Sequence, residues 1–156
     1  VNVVPSENGH TLIVQIGNIR NSKGRIQLQL YKNQATYSKE TPWKEYYVSK
    51  DDLNNKKLVY RITGLESGIY GVAILDDEDK DKKMKFSWMI PDEGFGFSDY
   101  YHVGMSRPKF DDFKFLRKSC IPQSRPNLPG GGNNLPQILQ IYSLLLWQIL
   151  FFIWCL

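Results

Sequence analysis

The sequence predicts an all-β fold, an antiparallel β-sandwich over residues 10–115, from three observations. Several short runs alternate apolar and polar residues with period two. Turn-rich segments separate them, and no stretch before Phe115 sustains a helical period over three turns. Strands that follow one another without intervening helices argue for packed antiparallel sheets rather than a parallel α/β fold.

The elements follow in order. Leu12, Val14 and Ile16 alternate with Gln15, a strand with at least one buried face. Asn18-Ile19-Arg20-Asn21-Ser22-Lys23-Gly24 is turn-rich. Arg25-Ile26-Gln27-Leu28-Gln29-Leu30-Tyr31 then alternates without an error, as a half-solvated antiparallel strand does. The two are expected to form a hairpin. Residues 32–56 are less regular, with an aromatic group at Trp43, Tyr46 and Tyr47. Thr41-Pro42 is expected to open a short helical turn, with Pro at its first position. Alternation resumes at Leu58, Tyr60 and Ile62. Ile69-Tyr70-Gly71-Val72-Ala73-Ile74-Leu75 is apolar on both faces, which fits a central strand covered on both sides or one carrying small residues under a crossing loop. Phe110, Phe113 and Phe115 suggest a last short strand. The expected core is Leu12, Val14, Ile16, Ile26, Leu28, Leu30, Leu58, Tyr60, Ile62, Tyr70, Val72 and Ile74.

Composition changes after Phe115. Residues 116–137 hold Pro122, Pro126, Pro129, Pro136 and Gly130-Gly131-Gly132, a flexible linker composition. Ile138–Leu156 contains no charge. As a helix at ~1.5 Å per residue it is long enough for a ~30 Å hydrocarbon core. Three readings stand open for it: a membrane anchor, a helix buried elsewhere, and sequence from a shifted reading frame. Residues 1–9 form an extension. The first two readings and the third alike place a helix at 138–156, and only the buried one packs it on the domain.

The chain has 156 residues, 20 basic and 16 acidic. Arg117, Lys118 and Arg125 lie after residue 115 with no acid beside them, so the first 115 residues are nearly balanced. No basic stripe of the kind nucleic-acid binding needs is visible. Cys120 and Cys155 are the only cysteines, which leaves the body without a disulfide framework. No set of catalytic residues is recognisable: G-x-S-x-G, H-E-x-x-H and a phosphate loop are all missing.

Two segments could carry chemistry. In Asp76-Asp77-Glu78-Asp79-Lys80-Asp81, the carboxylates of Asp77, Asp79 and Asp81 are spaced by two, like the opening ligands of a calcium loop. Lys82, Lys83 and Lys85 follow where such a loop needs a glycine and a closing acid, and they oppose a divalent cation. Otherwise the segment is a solvated hairpin tip. In Ile90-Pro91-Asp92-Glu93-Gly94-Phe95-Gly96-Phe97-Ser98, extended backbone would point Phe95 and Phe97 the same way, with Tyr100 and Tyr101 next. That is either an aromatic platform for a ligand or a loop folding its rings back onto the core. Asp92 and Glu93 are read as surface turn residues.

Taken together, Gly24-Arg25-Ile26, Gly68-Ile69-Tyr70-Gly71-Val72, the acidic loop, the P-x-E-G-[FY]-G-F-S stretch at Pro91–Ser98 and Pro108-Lys109-Phe110-Asp111-Asp112-Phe113 resemble the bacterial domain-of-unknown-function 2141 family over about residues 10–115. The resemblance implies a small exported sandwich of immunoglobulin or transthyretin type, periplasmic or secreted, and no reaction. The family's loop typically reads D-x-N-x-N-G-K-x-D, where this chain has Lys82 for the Gly and Lys85 for the last Asp. The family also closes with another strand, in whose place this chain has its linker and apolar tail. The expectation for function is a non-catalytic extracytoplasmic binding module for a protein or glycan, with membrane association through Ile138–Leu156. The alternative is a metal-dependent accessory or hydrolase domain that uses Asp76–Asp81 with calcium.

Overall fold

A computed structural model describes residues 9–87, 90–101, 106–117 and 137–142. Among these residues, ten strands and two short helices are ordered β1 (His10–Gly17), β2 (Arg25–Tyr31), α1 (Gln34–Ser38), β3 (Lys44–Ser49), β4 (Leu58–Leu65), β5 (Gly68–Asp77), β6 (Phe86–Ser87), β7 (Ile90–Pro91), β8 (Phe95–Phe97), α2 (Phe110–Phe113), β9 (Lys114–Arg117) and β10 (Gln137–Tyr142). The all-β expectation holds, and all sheet pairings but one are antiparallel.

One sheet has the order β10-β1-β4 and the other β3-β2-β5-β8, with β9 also on β5 and end to end with β8. Among the described residues, β6 and β7 pair only with each other. The inward residues of both large sheets share one apolar core that includes Leu12, Val14, Ile16, Ile26, Leu28 and Leu30. Every expected core position lies in it except Tyr60, which is partly buried against its margin.

β1 and β2 do not form the expected hairpin. β1 pairs with β4 and β10, and β2 with β3 and β5, so the two face each other across the core. Two strands that each carry a single apolar face bury both by stacking in different layers, whereas pairing side by side would leave both faces to be covered by something else. The linking segment is pinned by Ile19, which is fully buried and donates its N–H to the Lys56 carbonyl at 3.1 Å.

β5 is central, between β2 on one edge and β8 and β9 on the other. Its outer face is small at Gly71 and Ala73, and a second apolar cluster of Tyr31, Tyr37, Phe97, Phe110 and Phe113 covers it. Gly71 makes room for those rings: a Cβ there would stand 2.6 Å from the Phe113 ring and 2.8 Å from that of Phe110. The covering pieces are α1 and α2. The expected helical turn at Thr41-Pro42 is displaced upstream to Gln34–Ser38, where the Asn33 side chain caps the Thr36 N–H at 2.9 Å. The expected strand at Phe110–Phe115 is split. Phe110 and Phe113 sit on one side of a single helical turn, and only Phe115 belongs to β9. Gln34 ties the two helices by accepting the Phe110 N–H at 2.7 Å.

The C-terminal reading needs the largest correction. Residues 137–142 form no helix but a strand parallel to β1, with Leu139 opposite Val14 and Ile141 opposite Ile16. Leu139 and Ile141 are fully buried in the main core. A six-residue segment with apolar residues at 138, 139, 141 and 142 is too short to fix a period, and the unpaired edge of β1 selects the strand by offering a ladder of hydrogen bonds. Among the described residues, no helix is long and apolar enough to cross a membrane. The linker at 118–136, both cysteines, His102 and residues 143–156 lie outside the described residues.

Candidate functional site

The two segments singled out in the sequence both reach the end of the five-stranded sheet where β2 begins and β5 finishes. Strand alternation sends the Asp76 side chain inward with Val72 and Ile74, and that of Asp77 outward. Asp77 is fully buried even so. Its Oδ2 accepts from Arg25 Nε at 2.9 Å and from the Lys82 backbone N–H at 3.3 Å. Gly24 allows the loop to close over β2: its φ is +72°, and a Cβ would lie 2.0 Å from the Asp77 carbonyl oxygen. Beyond Asp77 the loop is built from side-chain-to-backbone turns, the Asp81 N–H to Asp79 Oδ1 at 3.2 Å and the Lys83 N–H to Asp81 Oδ1 at 2.8 Å.

Carboxylate oxygens of Asp77, Asp79 and Asp81 lie within 4.8 Å of one another, so the spacing read from the sequence does bring them together. Lys85 stands among them. Its ammonium pairs with Asp79 and also lies 3.7 Å from Asp81 Oδ2, while Arg25 holds Asp77. Calcium takes six to eight oxygens at ~2.3–2.6 Å. Here the three carboxylates already have cations of the chain itself, so the residues present do not fit a calcium ion as they stand.

Glu93 overturns its reading as a surface turn residue. It is buried, and its Oε1 accepts the Glu78 N–H at 3.0 Å, so the acidic loop folds around it. Burial pushes its carboxyl above the ordinary range, and the charges of Asp77 and Asp81 add to that push against backbone N–H groups that oppose it. Glu78 goes the other way. Burial would raise it, but hydrogen bonds from Asn21 and the Arg20 guanidinium outweigh the burial and hold it low. Arg20 reaches Glu78 Oε1 through Nε at 2.8 Å and also donates to the Asp92 carbonyl at 2.9 Å. Inside, Lys50 pairs with Asp76, and both side chains are 1 % exposed. Burial raises the Asp76 carboxyl, opposed by Lys50. Sequence reasoning missed Glu93 and Lys50. For Lys50 a signal existed, because it continues the inward parity of Tyr46 and Val48.

The aromatic loop packs inward. Phe97 is buried, 5.0 Å from the Phe113 ring, and Phe95 and Tyr100 are half-buried against it. Of the four rings proposed for ligand contact, Tyr101 is the one about half exposed. Ser98 explains the end of the motif. Fully buried, it donates from Oγ to the Phe113 carbonyl at 2.6 Å and accepts the Val72 N–H at 2.9 Å, stitching β5, β8 and α2 together.

Two further exposed rings lie at β3, the outer strand of the five-stranded sheet: Trp43 in the bend just before it, 5.8 Å from the Tyr70 ring, and Tyr47 within it. Trp43 and Tyr47 are each about two-fifths exposed. Lys32 and Lys44 lie 3.7 and 4.7 Å from the centre of the Trp43 ring, and Arg25 and Lys82 lie 4.3 and 5.1 Å from that of Tyr47. Between them Glu45 accepts from Gln27 at 2.6 Å, Gln29 at 3.1 Å and the Tyr47 hydroxyl at 2.6 Å. These bonds overcome a modest burial and hold its carboxyl low.

Residues 14–120, from within β1 to just past β9, match the DUF2141 family, described as an uncharacterized protein conserved in bacteria. The chain belongs to that family. No curated protein and no solved structure matches it. The matched range of this DUF2141 domain holds both sites described above and excludes β10.

Proposed function

We propose that this DUF2141 domain is a non-catalytic, extracytoplasmic binding module, a sandwich of immunoglobulin or transthyretin type, that grips an acidic glycan along β3. The observation that carries the reading is the pair of exposed rings, Trp43 and Tyr47, each stacked beneath two cations. Four positions separate Trp43, in the bend before β3, from Tyr47, at most ~14 Å of chain. Aromatic faces suit the apolar faces of sugar rings, and the flanking Lys and Arg groups suit carboxylates on the same polymer. Two acids border the strip: Glu45, whose hydrogen bonds turn it toward Gln27, Gln29 and Tyr47, and Asp77, which already pairs with Arg25, so the ligand's carboxylates are left to Lys32, Lys44 and Lys82. The location outside the cytoplasm follows the family resemblance. Membrane contact, if the tail provides it, falls to the apolar residues beyond Tyr142, because Leu139 and Ile141 are committed to the core. The metal-dependent alternative is less favoured because Lys85 and Arg25 already neutralise the acidic loop.

The test is titration with a polyuronate, against neutral dextran as control. Binding of the polyuronate alone, weakened at least tenfold in Trp43→Ala/Tyr47→Ala and by added salt, is expected. Equal affinity of wild type and variant, or no binding, sinks the reading.

A further inference from the structure

Of the ion pairs among the described residues, only Lys50–Asp76 has both side chains sealed from solvent; even Asp77 has a partner, Arg25, that is 21 % exposed. The register explains the meeting. Ile26 of β2 stands between Val48 of β3 and Asp76 of β5. Lys50, two residues past Val48 and of the same inward parity, reaches over the end of β2 to the Asp76 carboxyl. Val48, Ile26 and Ile74, which flank the pair on the inward face, are all buried. Beyond the contact between Lys50 Nζ and Asp76 Oδ1, neither the amine nor either carboxyl oxygen finds a hydrogen-bond partner among the described residues. An ion pair buried with so few hydrogen bonds recovers little of what its two charges lose on leaving water.

We infer that Lys50 and Asp76 condense into an intramolecular isopeptide bond, Lys50 Nζ to Asp76 Cγ. The ammonium passes one proton to the carboxylate, and the neutral amine attacks the carboxyl carbon. One C–N bond forms and one C–O bond breaks. The departing oxygen leaves as water, carrying the transferred proton and a second one from the nitrogen. Nothing is oxidised or reduced, and no co-reactant is needed. Two facts favour the reaction here. Groups held in contact react as though at effective concentrations of roughly 10⁵–10⁸ M, and the product exchanges two buried charges for one neutral amide. Exclusion of water also denies the reverse reaction its reagent. The bond would tie the end of the outer strand β3 to the central strand β5 across β2, closing a covalent ring over residues 50–76.

Intact-mass spectrometry of the folded full chain tests this directly. The wild type is expected one water lighter than its sequence, with a branched proteolytic peptide joining Lys50 to Asp76. Asp76→Asn is expected one ammonia lighter, because the same attack then expels the amide nitrogen. Lys50→Arg is expected at full mass. A folded wild type that keeps full mass after prolonged incubation overturns the inference. So does a water deficit that persists in Lys50→Arg, which would place the dehydration elsewhere. Should either variant fail to fold, the wild-type peptide map decides by itself.

Discussion

Lys85→Asp should turn the acidic loop into a calcium site. The wild-type cluster sets Asp77, Asp79 and Asp81 against Arg25 and Lys85, one net negative charge, and the substitution makes that three. It also supplies a fourth carboxylate where an ammonium had paired with two of the others. The lost pairs are about half exposed, so on their own they are worth only ~0–1 kcal/mol. The larger effect on the metal-free variant is repulsion among four carboxylates, and its melting temperature should fall. Calcium should restore it. At 100 times the dissociation constant the bound ion adds ~2.7 kcal/mol, which for a chain of 156 residues raises the melting temperature by roughly 5–11 °C. The assay is thermal unfolding with and without millimolar calcium, with magnesium as control, since its strict octahedral shell suits this loop poorly. Wild type should show no calcium shift. If wild type is stabilised by calcium as strongly as the variant, the Lys85 ammonium does not do the work of the cation and the reasoning fails.

Leu139→Ala should cost ~2–5 kcal/mol in chemical denaturation, because Leu139 is fully buried where β10 joins the core; a loss near zero would mean that β10 does not contribute to the fold. Ser98→Ala strands the Phe113 carbonyl and the Val72 N–H and should cost ~1–3 kcal/mol, read from the same denaturation curves. Gly24→Ala should cost at least ~1–2 kcal/mol for its left-handed backbone alone, and more from the contact with the Asp77 carbonyl; full wild-type stability would contradict the close approach. Glu93 holds its proton more tightly in the folded protein than in the unfolded chain, so above its ordinary value of 4.5 stability should fall as pH rises toward its raised value. Glu93→Gln keeps an acceptor for the Glu78 N–H and should flatten that slope in melting curves taken across this range, and an unchanged slope would assign it to other groups.

Much of the fold was legible because a strand's faces are a local property. Period two at Arg25–Tyr31 placed Ile26, Leu28 and Leu30 inward before any partner was known, and Gly71 and Ala73 announced something crossing close over β5. At the site, the i, i+2 spacing of Asp77, Asp79 and Asp81 was enough to gather their carboxylates, since neighbouring residues of one short loop cannot separate far. The family motif, too, could be read directly from Pro91–Ser98.

Only the tertiary structure decided what those segments face. Nothing local to β1 and β2 tells whether two one-faced strands pair in a sheet or stack across a core, because both arrangements bury the same side chains. The short segment at 137–142, with Gln137 and Gln140 among its apolar residues, fits a helix or a strand until the open edge of β1 is beside it. Glu93 reads as a surface turn residue until the loop closes over it, the inward parity of Lys50 gains meaning only when the end of β2 brings Asp76 beside it, and the two residues that Lys50 and Glu93 serve are 26 and 15 positions away in the chain. Burial of a charge depends on which distant segments exclude water from it, and that information is spread over the whole chain rather than written at the residue.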